Sequence, residues 1–69
     1  MWLRHGVDVW HYECRMEGDL HDYIAEIVRN GEVYELNLSG QDVSRKKTFG
    51  SPSDLNAYLK SVGMEDLKV

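Results

Sequence analysis

Apolar and polar residues alternate along much of the chain, and a period of two is typical of strands that bury one face. In residues 32–40, EVYELNLSG, the alternation places Tyr34, Leu36 and Leu38 on one face of a predicted strand. Residues 8–16, DVWHYECRM, alternate equally well, and we expect both strands to be half-buried. The apolar face of this first strand would consist of Trp10, Tyr12, Cys14 and Met16.

Residues 43–49, VSRKKTF, predict a further strand with a basic centre. Its ends, Val43 and Phe49, would face the core, but Arg45 and Lys47 fall on the same side of the strand. Burying these two cations would be costly, so we expect them to lie near the rim of the sheet and to extend their charged ends into water.

Residues 51–63, SPSDLNAYLKSVG, predict a helix with recognisable ends. Ser51 is placed as the N-cap, Pro52 occupies the first helical position, Asp54 completes a capping box, and Gly63 ends the helix. One apolar stripe follows the helical period, and we expect it to pack on one face of the sheet; it consists of Leu55, Tyr58, Leu59 and Val62.

Residues 20–29 fit two interpretations. As a strand, they would join the next strand through an Asn30-Gly31 hairpin turn, with Tyr23 opposite Leu38, Ala25 opposite Leu36, Ile27 opposite Tyr34 and Glu26 opposite Glu35. As a helix, they would bury an apolar stripe and avoid that opposition of like charges. The turn signal favours the strand, so we expect the order ββββα, with βαββα as the alternative if residues 20–29 are helical. Either order makes a single small α+β domain over residues 1–69, with a small antiparallel sheet and the C-terminal helix packed on one face.

Length limits the chemistry that the chain can support. Folding of a chain of 69 residues hides only about 60% of the surface of the unfolded chain, which leaves little core from which to build a deep cleft. No phosphate-binding glycine loop or nucleophile elbow occurs. We therefore expect a non-enzymatic protein with a flat binding surface.

Metal-binding residue types are few and irregularly spaced. With one cysteine, Cys14, the chain cannot form an internal disulfide, and His5, His11 and His21 match no established zinc spacing. We expect no metal and no cofactor. No apolar run approaches a signal peptide or a membrane span, so we expect a protein that does not enter membranes and resides in the cytoplasm.

Charge divides the chain into two unlike parts. Residues 1–42 carry nine acids and three bases, whereas residues 43–69 carry three acids and five bases. A series of carboxylates can steer a protein onto a basic groove, although an acidic face can also serve solubility alone. The predicted partner-binding residues are the seven acids from Glu13 to Glu35: Glu13, Glu17, Asp19, Asp22, Glu26, Glu32 and Glu35.

The basic strand gives the alternative function. Arg45, Lys46 and Lys47 could contact phosphates while Tyr34 and Phe49 stack on bases, as in a small nucleic-acid-binding module. Three adjacent cations are also common on solubilising edges, and Lys46 can pair with Glu35 on the neighbouring strand. The formal net charge of −4 opposes a polyanion, so we expect direct nucleic-acid binding to be absent.

As a very short, acidic α+β chain without a catalytic motif, the protein resembles the small phage-encoded inhibitors of the anti-CRISPR kind. The resemblance covers the whole chain as a profile and includes no shared motif. It implies stoichiometric inhibition of a protein or ribonucleoprotein complex with a basic groove in a bacterial host cell, with the acids imitating a DNA backbone.

A second resemblance concerns residues 22–59 alone. Their hairpin, their basic strand ending in Phe49 and their capped helix resemble the three-stranded-sheet-plus-helix DNA-binding domains at integrase N-termini. Those domains read DNA with basic or polar sheet residues. In this chain Glu26, Glu32 and Glu35 occupy that sheet, which is a departure from the pattern.

Overall fold

The computed structural model of the protein describes residues 1–15, 18, 20–40 and 43–68. Within these residues, the chain forms five strands and one helix, and all of them except the first strand follow the alternation and capping signals of the sequence. They are β1 (Leu3–Gly6), β2 (Val9–Arg15), β3 (Asp22–Asn30), β4 (Val33–Gly40), β5 (Val43–Phe49) and α1 (Pro52–Ser61).

The strands form one antiparallel sheet in the order β1-β2-β3-β4-β5, so every strand pairs with its neighbours in sequence. The predicted α+β class with a C-terminal helix is confirmed, and residues 22–30 form a strand rather than a helix. The described residues contain one strand more than the expected ββββα order. This additional strand, β1, has only four residues, and its pairing with β2 is irregular between Arg4 and Gly6.

The register of the β3-β4 hairpin differs from the predicted one by two residues. Asn30 pairs with Val33, so the loop consists of Gly31 and Glu32, and Gly31 has a φ of 65°. Asn-Gly suits a type I′ loop, whereas a type II′ loop has glycine at its first position, so the sequence allowed a loop of Gly31 and Glu32 as well as one centred on Asn30-Gly31. A shift of two residues keeps every side chain on its predicted face.

The shift changes which residues face each other across the hairpin. The observed pairs are Tyr23 with Gly40, Ala25 with Leu38, Ile27 with Leu36 and Arg29 with Tyr34, and the predicted partners are wrong at each place. Glu26 lies opposite Asn37 and Glu35 lies opposite Val28, so the predicted opposition of Glu26 and Glu35 is also wrong.

One face of the sheet, which we call the inner face, packs against α1. Leu55 and Leu59 of the helix are completely buried, while Tyr58 and Val62 of the predicted stripe are half-buried beside them. The core of the described residues consists of Trp10, Ala25, Ile27, Tyr34, Leu36, Leu38, Leu55, Leu59, Met64 and Leu67.

The predicted helix ends are confirmed. Ser51 Oγ accepts a hydrogen bond from Asp54 N at 3.2 Å, and Pro52 occupies the first turn, where its missing N–H has no helical partner to lose. The helix ends at Ser61, and Gly63 has a φ of 83°, a left-handed conformation that glycine adopts readily.

A segment after the helix, residues 64–68, covers the part of the inner face nearest to β1 and β2. Asn56 holds this segment to the helix, because its Nδ2 donates to Leu67 O at 3.1 Å and its Oδ1 accepts from Leu67 N at 2.8 Å. Trp2 Nε1 donates to Glu65 O at 2.9 Å, and Met64 is buried. The helix and this segment together cover the inner face.

Candidate binding surface

The opposite side of the sheet, which we call the outer face, has neither a helix nor a described segment packed on it. Residues on this face alternate with the core residues along each strand. Direct neighbours across the strands include a row that begins at the β1 edge and ends at the β5 edge; it consists of Leu3, His11, Glu26, Asn37 and Lys46.

Three glutamates form a line across the centre of the outer face. Glu13 on β2 lies opposite Ile24, which is two residues before Glu26, and Glu35 on β4 lies opposite Val28, which is two residues after Glu26. Each glutamate is therefore a diagonal neighbour of the next, at a spacing of roughly 7–8 Å. We call Glu13, Glu26 and Glu35 the acidic diagonal.

The structure places the remaining predicted site residues as follows. Asp22 lies on the outer face and forms an ion pair with Arg15 at 3.1 Å, in which both side chains are exposed. Glu32 lies in the β3-β4 loop, beyond the end of the sheet. Glu17 and Asp19 lie outside the described residues, as does Met16 of the predicted apolar face.

The described part of the outer face carries more negative than positive charge. Four carboxylates lie on this face, those of Glu13, Asp22, Glu26 and Glu35, together with the two cations Arg15 and Lys46. The formal charge of the face is therefore −2 with histidines counted as neutral. Glu35 pairs with Lys46 at 3.7 Å, as predicted. Within the described residues, Glu13 and Glu26 form no ion pair.

Apolar side chains accompany these acids. Leu3 is 51% exposed, Ile24 is 46% exposed and Val33 is 43% exposed. Ile24 lies directly between Glu13 and Ser39, so an apolar side chain stands beside the acidic diagonal. Leu3, Ile24 and Val33 do not lie opposite one another, and single exposed apolar side chains of this kind are normal on protein surfaces.

Two histidines also lie on the outer face, and the sequence did not indicate their contact. The rings of His5 and His11 stack with their centroids 4.8 Å apart and an angle of 4° between their planes. Their contact depends on β1, which sequence reasoning missed because four residues are too few to show a period. No group of three or more histidine, cysteine or acidic residues in the described ranges is arranged to hold a metal ion.

The cations of β5 are distributed over both faces of the sheet. Lys46 lies on the outer face, whereas Arg45 lies opposite Leu38 and Lys47 lies opposite Leu36, both on the inner side. All three are exposed, which confirms that the inner pair reaches solvent at the rim. The cations therefore do not form a single basic surface.

The aromatic residues near β5 already contact other side chains of the protein or are buried. Lys47 Nζ lies 4.9 Å from the centroid of the Tyr58 ring, and Phe49 packs on the same ring with the centroids 5.5 Å apart. Tyr34 is buried. The side chains that a nucleic-acid interface would use for base stacking thus belong to the core and its border.

Cys14 is half-buried on the inner side of β2, and burial raises the pKa of its thiol. Burial also raises the pKa of the neighbouring Tyr12, and the charge of Glu65 acts in the same direction. A cysteine nucleophile needs a lowered pKa, so this environment disfavours the reactive thiolate. The nearby Arg15 is engaged with Asp22.

The chain matches no family model, no curated protein and no solved structure among those compared with it. No helix in the described ranges is long and apolar enough to cross a membrane.

Proposed function

We propose that the protein is a non-enzymatic binding protein whose outer face docks on a basic, nucleic-acid-binding site of a larger protein or ribonucleoprotein complex and inhibits it. The observation that carries this proposal is the acidic diagonal on a sheet face that no described element covers. The proposed setting is the cytoplasm of a bacterial host cell, in line with the resemblance to anti-CRISPR inhibitors.

The linear order of the three carboxylates on the diagonal supports an imitation of DNA. Carboxylates at Glu13, Glu26 and Glu35 present successive negative charges on one line, and a groove that binds a phosphate backbone offers lysine and arginine at several positions along its length. Because the charges are held by paired strands, they need little ordering on binding, which lowers the entropic cost of association.

The exposed apolar residues supply the second part of the interface. Steering by charge mainly raises the association rate, whereas buried apolar contacts slow dissociation. Ile24 stands beside the diagonal and Leu3 lies in the same row as Glu26. We therefore propose that the partner site combines cations with an apolar patch.

The test uses a variant that removes the diagonal, Glu13→Gln/Glu26→Gln/Glu35→Gln. The partner is first captured on the immobilised wild-type protein from bacterial lysate at low salt and identified by mass spectrometry. Association rates of the purified partner are then measured for the wild type and the variant over a series of NaCl concentrations. The variant should associate at least about ten-fold more slowly at low salt and lose most of the salt dependence.

A charge-matched control separates the diagonal from net charge. Asp54→Asn/Glu65→Gln/Asp66→Asn removes the same number of charges from the helix and from the segment after it, away from the outer face. This control should associate at close to the wild-type rate. Equal rates for the wild type and the diagonal variant across the salt series would show that the acids only solubilise the protein.

The alternative function is a nucleic-acid-binding module that uses Arg45, Lys46 and Lys47. An electrophoretic mobility-shift assay at low salt distinguishes it, because phosphate contacts are strongest there. The proposed function requires no shift with single-stranded or double-stranded DNA. A shift that disappears in Arg45→Ala/Lys46→Ala/Lys47→Ala would favour the alternative.

A further inference from the structure

The β5 edge of the sheet is free to pair with another strand. β5 is bonded to β4 on one side, and its register runs without irregularity from the Gly40-Val43 pair to the Tyr34-Phe49 pair. Residues 44–48 are all exposed, and within the described residues no segment pairs with the other side of β5.

A regular edge strand presents unpaired backbone N–H and C=O groups, which can bond to an added extended segment. The other edge of the sheet is less suitable, because β1 has four residues and its pairing is interrupted between Arg4 and Gly6. An added strand needs a run of evenly placed donors and acceptors, so β5, with seven residues, is the better template.

The positive charges of β5 determine which segment can pair with its free edge. If β5 paired antiparallel with β5 of a second copy about its centre, Lys46 would lie opposite Lys46, and Arg45 would lie opposite Lys47. Like charges directly opposed on neighbouring strands are destabilising, and here three such pairs would be adjacent. The same cations attract carboxylates, so the complementary occupant is acidic and belongs to another protein.

The two faces of β5 define where those carboxylates should lie. Arg45 and Lys47 share the inner side and form no ion pair within the described residues, whereas Lys46 on the outer side already pairs with Glu35. We infer that β5 binds an extended segment of a partner protein that carries carboxylates at alternate positions, facing Arg45 and Lys47. Backbone bonds would add the segment to the sheet, and the two cations would select it.

The probe is a fluorescently labelled peptide with the sequence TVEVEVT, tested against the intact protein. It should bind and give amide hydrogen exchange protection at alternate residues of β5, namely those whose N–H groups do not bond to β4. A peptide of the same sequence with N-methyl groups on all of its amides has no N–H group to donate to β5 on either edge, and its binding should be lost.

Variants test the selection by charge. Arg45→Gln/Lys47→Gln should weaken binding of the probe by about five-fold or more, since two charge pairs are removed. The control Lys60→Gln/Lys68→Gln removes equal charge elsewhere and should bind as the wild type does. The variant Glu13→Gln/Glu26→Gln, which keeps the Glu35-Lys46 pair beside β5, should bind the probe normally, so this proposal can fail or succeed independently of the proposed function.

Three results would overturn the inference. The first is equal binding of the N-methylated peptide, which would show charge attraction without strand addition. The second is absence of exchange protection in β5 at saturating probe. The third is tighter binding of single-stranded DNA than of the peptide, abolished by the same Arg45→Gln/Lys47→Gln substitution, which would assign β5 to nucleic acid.

Discussion

Gly40 is the residue on which the ring of Tyr23 rests across the β3-β4 hairpin. A Cβ at Gly40 would lie 2.8 Å from Tyr23 Cδ1 and 3.1 Å from Asp22 O, which is closer than such atoms pack. Gly40→Ala should therefore lower the free energy of unfolding by about 1–3 kcal/mol, because the ring must move from a buried position. Urea denaturation would measure the loss.

Gly50→Ala is the matched control for this effect. A Cβ at Gly50 would meet no atom within 4 Å, and its φ is not in the left-handed region. The same addition of a methyl group should change the unfolding free energy little. Equal stability of the two variants would show that Tyr23 does not need the space above Gly40.

The thiol of Cys14 allows a second test at a single residue. Because burial raises its pKa, a smaller fraction is thiolate at a given pH than in the unfolded chain. Alkylation by iodoacetamide should therefore reach its half-maximal rate at a higher pH in the folded protein than in urea. A single cysteine makes the labelling specific.

The raised pKa of Cys14 also makes the free energy of unfolding depend on pH. A group with a raised folded pKa binds its proton more tightly in the folded state, so its stabilising contribution is complete below the ordinary pKa and is lost as pH rises. Cys14 and Tyr12 act in the same direction. The unfolding free energy should therefore fall from about pH 8.5 upward. A stability that stayed constant or rose over this range would contradict the buried environment of both groups.

The helix α1 is held to the sheet mainly by apolar contacts at its inner stripe. Leu59 is completely buried there, so Leu59→Ala should lower the unfolding free energy by about 2–5 kcal/mol through lost burial and the cavity that remains. That loss is a large part of the stability of a domain of this size. Thermal unfolding followed by circular dichroism would measure it.

The exposed helix residue Ala57 provides a control for the Leu59 substitution. Ala57→Ser changes the solvent face of the same helix and should cost well under 1 kcal/mol. If Leu59→Ala kept the wild-type melting temperature, the assignment of the inner stripe would be incorrect.

The sequence was sufficient to predict the helix, the strand faces and the α+β class, because capping residues and alternation are local signals. Ser51, Pro52 and Gly63 each perform the predicted role. Register is different, since Asn30-Gly31 and Gly31-Glu32 both satisfy the requirements of a tight loop, and only packing of the whole sheet chooses between them.

Two further elements carried no recognisable local signal. β1 is too short to display alternation, and its pairing with β2 is irregular between Arg4 and Gly6. The segment after the helix has no regular secondary structure, and it is positioned by Asn56 and Trp2, whose partners are distant in sequence. Such contacts are made by the folded molecule and leave no periodic pattern in the chain.

At the scale of the whole molecule, the outer face carries like charges that are held near one another. Neighbouring carboxylates of the acidic diagonal at roughly 7–8 Å repel by about 0.5 kcal/mol in water. Glu13→Gln/Glu26→Gln/Glu35→Gln removes this repulsion but also removes the partly exposed Glu35-Lys46 pair, which contributes about 0.2–1 kcal/mol. The unfolding free energy should therefore change by no more than about 1 kcal/mol in either direction.

Salt provides the measurement that separates these terms. Raising NaCl screens both the repulsion along the diagonal and the Glu35-Lys46 attraction, so the comparison uses the variant Glu13→Gln/Glu26→Gln, which keeps that ion pair. The wild type should gain stability relative to this variant between about 10 and about 200 mM salt. Urea denaturation of both proteins at each salt concentration would show the difference. A parallel response would mean that the carboxylates of the diagonal do not interact.

The candidate site was only partly predictable from sequence. Composition identified the acidic series, and alternation placed Glu13, Glu26 and Glu35 on one face. The diagonal itself depends on the pairing of β2 with β3 and of β3 with β4, and the predicted register would have put Glu26 beside Glu35 instead. The positions of these three glutamates relative to one another therefore depend on the register of the strands.

The covering of the inner face by residues 52–68 has a consequence for synthesis of the protein. Every strand precedes these residues in the chain, so the hairpins can form in the nascent polypeptide while Ile27, Leu36 and Leu38 still have no apolar partner. Hairpins close within microseconds, but a sheet with one open apolar face is marginally stable and tends to aggregate. Folding can therefore be completed only after Leu59 and Leu67 leave the ribosome, and until then the apolar face of the sheet is open to association with other chains.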